Sequence, residues 1–390
     1  MSYSCKTARK TPCGAPDQKF NRRAMLKGAA ASTGLLAAPG IVTNALASSG
    51  ELNILMWSDY LPEEFITGFQ AETGIKLNYT RIGSNEEIID RMKATKGRLF
   101  DLVSPTNFRS PQWQPLDLLQ PFDMNRVPAD RVNPAMMKIG ETAWSFGGQG
   151  VYWLPHIWGT EGIGWRTDLW TLKGEAPSYG DVWSDETKGR TMGRPHSMML
   201  GAGLYMETIG ELEPGALWLA YENEQKMRPV WDKIAAWCIA RRAHIKRFWN
   251  KAEAQKKGFL EDGVILGQTW DGPPIALKND GKPVTYQAPK EGAMAWVDGL
   301  ALSSKAENVD QVYAFIEFAY RPEPAGKAID RHGYNSPVRG ADKFASAQYG
   351  RNFSEAYPGD ALAKLIPWPA EPPWYADIRT EYARAFVNSV

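Results

Sequence analysis

From Glu51 onward the apolar positions change period in a regular order. Leu52–Trp57 alternates enough to predict a strand. Pro62 then opens a helix with Glu63 and Glu64 in its first turn, Phe65, Ile66 and Phe69 on one face, and Gly74 at its end. Ile75, Leu77 and Tyr79 alternate as a second strand. Ser84 with Glu87 makes a capping box for a helix carrying Ile88, Ile89 and Met92 and stopping at Gly97, and the apolar run Leu99–Val103 predicts a third strand. This βαβαβ order implies an α/β fold with a mostly parallel sheet, whose ligands meet the carboxyl ends of the strands.

Those ends carry Trp57-Ser58-Asp59-Tyr60 and Ser104-Pro105-Thr106-Asn107-Phe108, two aromatic and hydroxyl-bearing turns that should converge on one crevice. Further along, Ala216–Ile239 predicts helix interrupted at Pro229, with Val230, Ile234 and Trp237 at helical spacing, and Val309–Tyr320 predicts another. The aromatics of these helices are expected in the core.

Charge separates the amino terminus from the rest. The whole chain has 45 Lys+Arg and 44 Asp+Glu among 390 residues, a net charge of +1, which argues against a basic nucleic-acid footprint. Its apolar fraction of 43% and three cysteines exclude disorder, collagen and a disulfide scaffold. Residues 1–47, however, hold seven basic side chains and one acid. Within them Arg22-Arg23 precedes about twenty mildly apolar residues and the tripeptide Ala45-Leu46-Ala47, the order of an export signal of the twin-arginine type. A membrane anchor is the alternative, weakened by Gly28, Ser32, Gly34, Pro39, Gly40 and Asn44 in the apolar run. Without this segment the chain keeps 38 basic and 43 acidic residues, a net charge of −5, with Cys238 as its one cysteine. The expectation is a soluble monomer of the periplasm, not held in the membrane once the signal is removed. Its remaining 343 residues should form two lobes.

Catalytic patterns are missing. Four widely spaced histidines (His156, His196, His244, His332) offer no zinc pair, and no nucleophile elbow, Walker loop, dinucleotide fingerprint or calcium loop occurs. No enzyme activity, metal or cofactor is therefore expected. Sixteen Trp are present instead. Most should fill cores, but Trp57 near Asp59, Trp270 beside Asp271, Trp296 two residues from Asp298 and Trp374 near Asp377 pair an aromatic with an acid. A buried ammonium needs a negative partner, and an aromatic wall excludes water around its alkyl part, so the pairing suits a small amine.

Several segments together resemble the spermidine/putrescine-binding proteins, periplasmic components of polyamine importers among the bacterial extracellular solute-binding proteins. They are WSDY (57–60), ETGIKLNY (72–79), SNEE (84–87), FDLVSPTNF (100–108), LPHIWGTEGIGW (154–165), GQTWDG (267–272), APKEGAMAWVDGLAL (288–302) and HGYNSP (332–337). The resemblance implies a type II clamp of two α/β lobes joined by crossing strands, with residues 48–158 plus 297–344 in one lobe and 159–296 plus 345–390 in the other. It implies closure on a solute and delivery to the membrane permease of an ABC importer. Trp57, Ser58, Asp59, Tyr60, Thr106 and Phe108 match one wall of the cleft, and Trp270, Trp296, Asp298 and Tyr334 match positions that enclose the polyamine.

One stretch departs from that pattern. Two acids are expected after the Lys188-Gly189 turn for a second amino group, but RTMGRPHSMML follows, with His196 and Met199 near those positions. Tyr375 stands where an amide is expected. A zwitterionic or amino-acid-derived solute whose anionic end meets Arg194 or His196 is therefore kept beside the polyamine. An exported enzyme and a sensory protein using the same clamp complete the alternatives.

Overall fold

The structure, a computed structural model, describes residues 50–389; the export signal expected over residues 1–47 lies outside the described residues. The strands are β1 Glu51–Trp57, β2 Lys76–Ile82, β3 Leu102–Val103, β4 Leu119–Gln120, β5 Leu154–Arg166, β6 Thr191–Gly193, β7 Ile245–Phe248, β8 Leu266–Trp270, β9 Val284–Gln287, β10 Met294–Ser303 and β11 Ile366–Pro367. They order as β2-β1-β3-β10-β5-β8-β6-β7, with β4 and β11 on β10 and β9 on β5. Two parallel halves, β2-β1-β3 and β8-β6-β7, are thereby joined through the antiparallel pair β10 and β5. This is the two-lobed α/β clamp with crossing strands.

The first βαβαβ unit forms for the reasons its pattern gives. The helix Glu63–Thr73 buries Phe65 and Phe69 and ends at Gly74, whose φ of 71° suits a residue without a Cβ. The helix Asn85–Thr95 starts at Ser84, whose hydroxyl accepts from the Glu87 N–H at 3.1 Å. Glu87 reaches back one residue further than a capping box requires, to the Gly83 N–H at 3.0 Å.

Two elements differ from the pattern. The third strand keeps only Leu102 and Val103 of the expected Leu99–Val103. Leu99 is exposed, and Asp101 ties the segment down with its carboxylate, accepting from the backbone N–H groups of Asn53, Glu307 and Asn308. The long helix is two, Ala216–Leu219 and Glu224–Ala240. The break falls at Asn223, which caps the Lys226 N–H at 3.0 Å, and Pro229 is carried inside the second helix. That helix buries Met227, Trp231, Ile234 and Cys238, with Trp237 half-buried on its flank. The helix Val309–Ala319 matches its expected span to within one residue.

Candidate functional site

The strands of both parallel halves end on one crevice. From the first half come Trp57, at the end of β1, then Tyr60, and Thr106 and Phe108 after β3; from the second come Trp270, at the end of β8, and Arg194 and His196 after β6. The crossing strands add Glu161, Trp296 and Asp298, and Asn85, Arg109 and Trp368 complete the lining. The cavity among them is only about 30 Å³. That holds about one or two waters.

The walls are fixed by aromatic packing. Trp57 donates its Nε1–H to the Ser104 carbonyl at 2.9 Å and stands edge-on to Trp270, 5.7 Å between centroids. Tyr60 and Trp296 lie nearly parallel at 6.4 Å, and Phe108 and Trp368 at 5.2 Å. Tyr334 stands edge-on to both Tyr60 and Trp296, at 5.4 and 5.6 Å, and supports them from outside the crevice lining.

Asp298 is placed by a fault in the sheet. β10 pairs with β5 up to Asp298 and shifts register between Asp298 and Gly299. A bulge of this kind re-aims a side chain. Gly299 is required beside it, because a Cβ there would run into the Trp153 ring and the Leu154 carbonyl. The Asp298 carboxylate is 3% exposed. Tyr60 donates its hydroxyl to Oδ2, whereas Oδ1 makes no hydrogen bond of ordinary geometry. Burial pushes the carboxyl up to about 7, against the opposing pull of the Thr106 and Tyr60 hydroxyls and Arg194. Thr106 is itself held by Asn85, which donates to its hydroxyl at 2.8 Å and accepts from its N–H at 3.0 Å.

The opposite end is basic. Arg109 and Arg379, 1% and 2% exposed, both donate to Glu86 Oε1 at 2.8 Å and both approach Glu371 Oε2, at 3.4 and 3.2 Å. Burial alone would raise the Glu86 carboxyl, but Arg109, Arg379 and Arg194 outweigh it and hold Glu86 well below the ordinary carboxylate range. Arg194 is half-buried with its guanidinium 5.6 Å from the Trp270 ring centroid. Burial and the repulsion of Arg379 and Arg194 push the His196 imidazole well below its usual pKa, so it is neutral. Glu161, 1% exposed, is raised by burial and accepts from Gln268 Nε2 at 2.8 Å.

Of the residues singled out in the sequence, Trp57, Tyr60, Thr106, Phe108, His196, Trp270, Trp296 and Asp298 line this cavity, and Arg194 does too. Ser58, Asp59, Tyr334 and Tyr375 do not. Ser58 donates its hydroxyl to Glu253 at 3.2 Å. Asp59 lies behind the wall, raised by burial to about 6 despite Lys256 and Tyr334. Tyr375 is 0% exposed in the core, stacked on Tyr221 at 4.0 Å and edge-on to Trp231. Met199 is also 0% exposed and packs inside its helix. Asn85, Arg109, Glu161 and Trp368 escaped the sequence reading; Asn85 and Glu161 lie inside the quoted segments SNEE and LPHIWGTEGIGW, and Arg109 directly follows FDLVSPTNF. Among the described residues no group of His, Cys, Asp and Glu could hold a metal ion, and no helix is long and apolar enough to cross a membrane.

A two-lobed clamp with an aromatic crevice at the crossing strands defines the class, a solute-binding protein of the periplasmic type. The chain belongs to the bacterial extracellular solute-binding protein family, whose model matches residues 64–349. It is 25% identical over 357 residues to the spermidine/putrescine-binding periplasmic protein of Escherichia coli, covering 89% of this chain and 96% of that one. To the Escherichia coli putrescine-binding periplasmic protein it is 27% identical over 358 residues, covering 89% and 94%. A Listeria monocytogenes structure with a provisional spermidine/putrescine ABC transporter assignment superposes with a TM-score of 0.72 at 22% identity, covering 87% of this chain and 99% of that one.

Proposed function

We propose that this protein is the periplasmic receptor of an ABC importer and binds a polyamine or a related small organic amine in the crevice between its lobes. The carrying observation is Asp298. It is a buried carboxylate with Oδ2 held by Tyr60 and Oδ1 without a hydrogen bond of ordinary geometry, walled by the rings of Tyr60 and Trp296. An ammonium taken from water needs such a partner to offset its lost hydration, and each desolvated aromatic face adds roughly 0.5–2 kcal/mol. The polyamine names of the two Escherichia coli relatives support an alkylamine headgroup. Parting and closing of the lobes, required by the small cavity, supplies the two states that a permease distinguishes.

Isothermal titration of the exported form with spermidine, putrescine and monoamines tests this reading. Saturable binding that fails in Asp298→Asn supports it. Absence of binding by every amine overturns it.

A further inference from the structure

Two arginines, Arg109 and Arg194, line the crevice with Arg379 behind them, and Arg109 and Arg379 are neutralised. Arg109 and Arg379 share Glu86 and Glu371. Arg194 has no carboxylate within 4 Å and donates no side-chain hydrogen bond among the described residues; Glu86 and Glu161 reach it only through space. It lines the crevice together with Asp298, close enough to act on that carboxyl. It also lines a more open depression of about 310 Å³ on its other side, where Arg379 and Arg384 are neighbours. Arg194 immediately precedes the 14-residue helix Pro195–Thr208, whose N-terminus carries no side-chain cap. Its first free N–H groups add partial positive charge at the same place. The acids that could hold a cation here are committed: Glu86 to two arginines, Glu161 to Gln268.

Resting on the reading of Asp298 as an ammonium partner, we infer that Arg194 and the N-terminus of its helix form a carboxylate subsite, so that the solute is a zwitterion with its ammonium at Asp298. A guanidinium presents a planar fork that matches a carboxylate. A second ammonium in that position would face the Arg194 guanidinium, which has no carboxylate within 4 Å, and the neutral His196. The aromatic stretch between the two ends, with Trp57, Trp270 and Trp296, takes the connecting alkyl chain.

The test compares three homologous series of three to six carbons against the exported protein: ω-amino acids, α,ω-diamines and n-alkylamines, by isothermal titration. The ω-amino acid of the best length should bind at least tenfold more tightly than the alkylamine of that length, and more tightly than the diamine. Arg194→Gln should bring the ω-amino acid to within threefold of the alkylamine, with Arg194→Lys intermediate, while thermal melting confirms that both variants fold. A diamine that binds best, or an Arg194→Gln protein that keeps its preference for the carboxylate, overturns the inference and leaves the amine reading standing. Failure of all three series to bind overturns the inference, and failure of spermidine as well overturns both.

Discussion

Asp298 and Asp271 are both buried aspartates whose carboxyls are pushed by burial to about 7, yet they sit in different economies of hydrogen bonds. Asp271, 0% exposed, accepts from the Gly272 N–H at 3.0 Å, from Tyr357 at 2.8 Å and from Asn335 at 3.2 Å. Its partners are fixed in turn, since Tyr357 and Tyr286 both bond the Thr160 hydroxyl at 2.7 Å. Asp298 accepts from Tyr60 at Oδ2 and feels the Thr106 hydroxyl, but its Oδ1 makes no hydrogen bond of ordinary geometry, and the residue lines the crevice. Burial and a perturbed pKa therefore do not separate a structural acid from a ligand-binding one. What separates them is an acceptor left unspent and pointed at a cavity.

The strongest challenge to this contrast is substitution at both positions. Asp298→Asn should weaken amine binding by roughly tenfold to a hundredfold, the scale of a lost charge-assisted hydrogen bond, without loss of the folded state. Asp271→Ala should do the reverse, costing about 1–3 kcal/mol of stability by leaving the Tyr357 and Asn335 donors without their acceptor. Titration calorimetry and denaturant unfolding of the two proteins side by side would show this, and an exchange of the two phenotypes would break the comparison.

The pH dependence is smaller and has a definite sign. An ammonium needs ionised Asp298, and with a carboxyl near 7 the affinity of the parent protein should fall about tenfold from pH 8 to pH 6. Asp298→Asn should reduce that slope to the remainder left by Asp59 and Asp271, at about 6 and 7, since the buried His156 and His332, at about 4 and 3, do not titrate in the interval. Linkage gives a matching stability effect. A carboxyl raised in the folded state binds more protons than the unfolded chain between about pH 4 and 7, so its contribution to stability is lost as pH rises through that window. The melting temperature of Asp298→Asn relative to the parent should therefore climb between pH 5 and pH 8.

The mildest probe is Tyr60→Phe. It removes one of the two hydroxyls that favour the ionised carboxylate, so affinity should drop only a few-fold, within the usual ~0.5–1.5 kcal/mol of one hydrogen bond, while the midpoint of the pH profile moves upward. A profile displaced toward acid would show that Tyr60 does not hold Asp298 in its ionised form.

Much of this was legible in the sequence because it is local. The periods of 2 and 3.6, Gly74 at a helix end, Ser84 at a helix start and the aromatic turns after β1 and β3 are set by neighbours within a few residues. The four-residue break ending at Asn223 was missed because Asn is a weaker signal than the Pro229 that follows it, although the side chain of Asn223 does the capping. Likewise Leu99–Phe100 looks like strand by composition, and only the distant backbone groups captured by Asp101 take it out of the ladder.

By itself the sequence determined the first βαβαβ unit, the aromatic composition of its turns, and the resemblance that placed Asp298 among the candidates. Tertiary structure alone decided that, of Asp59 and Asp298, which each keep an oxygen without a hydrogen bond, only Asp298 lines the crevice, that Tyr375 belongs to a core and not to the crevice, and that Glu86 and Glu371 satisfy two arginines but leave Arg194 without a partner. The reason is physical. Propensity and capping are energies between neighbours along the chain, whereas the spending of a carboxylate or a guanidinium depends on partners up to 293 residues away, as Glu86 and Arg379 are, which only the folded sheet brings within hydrogen-bond distance.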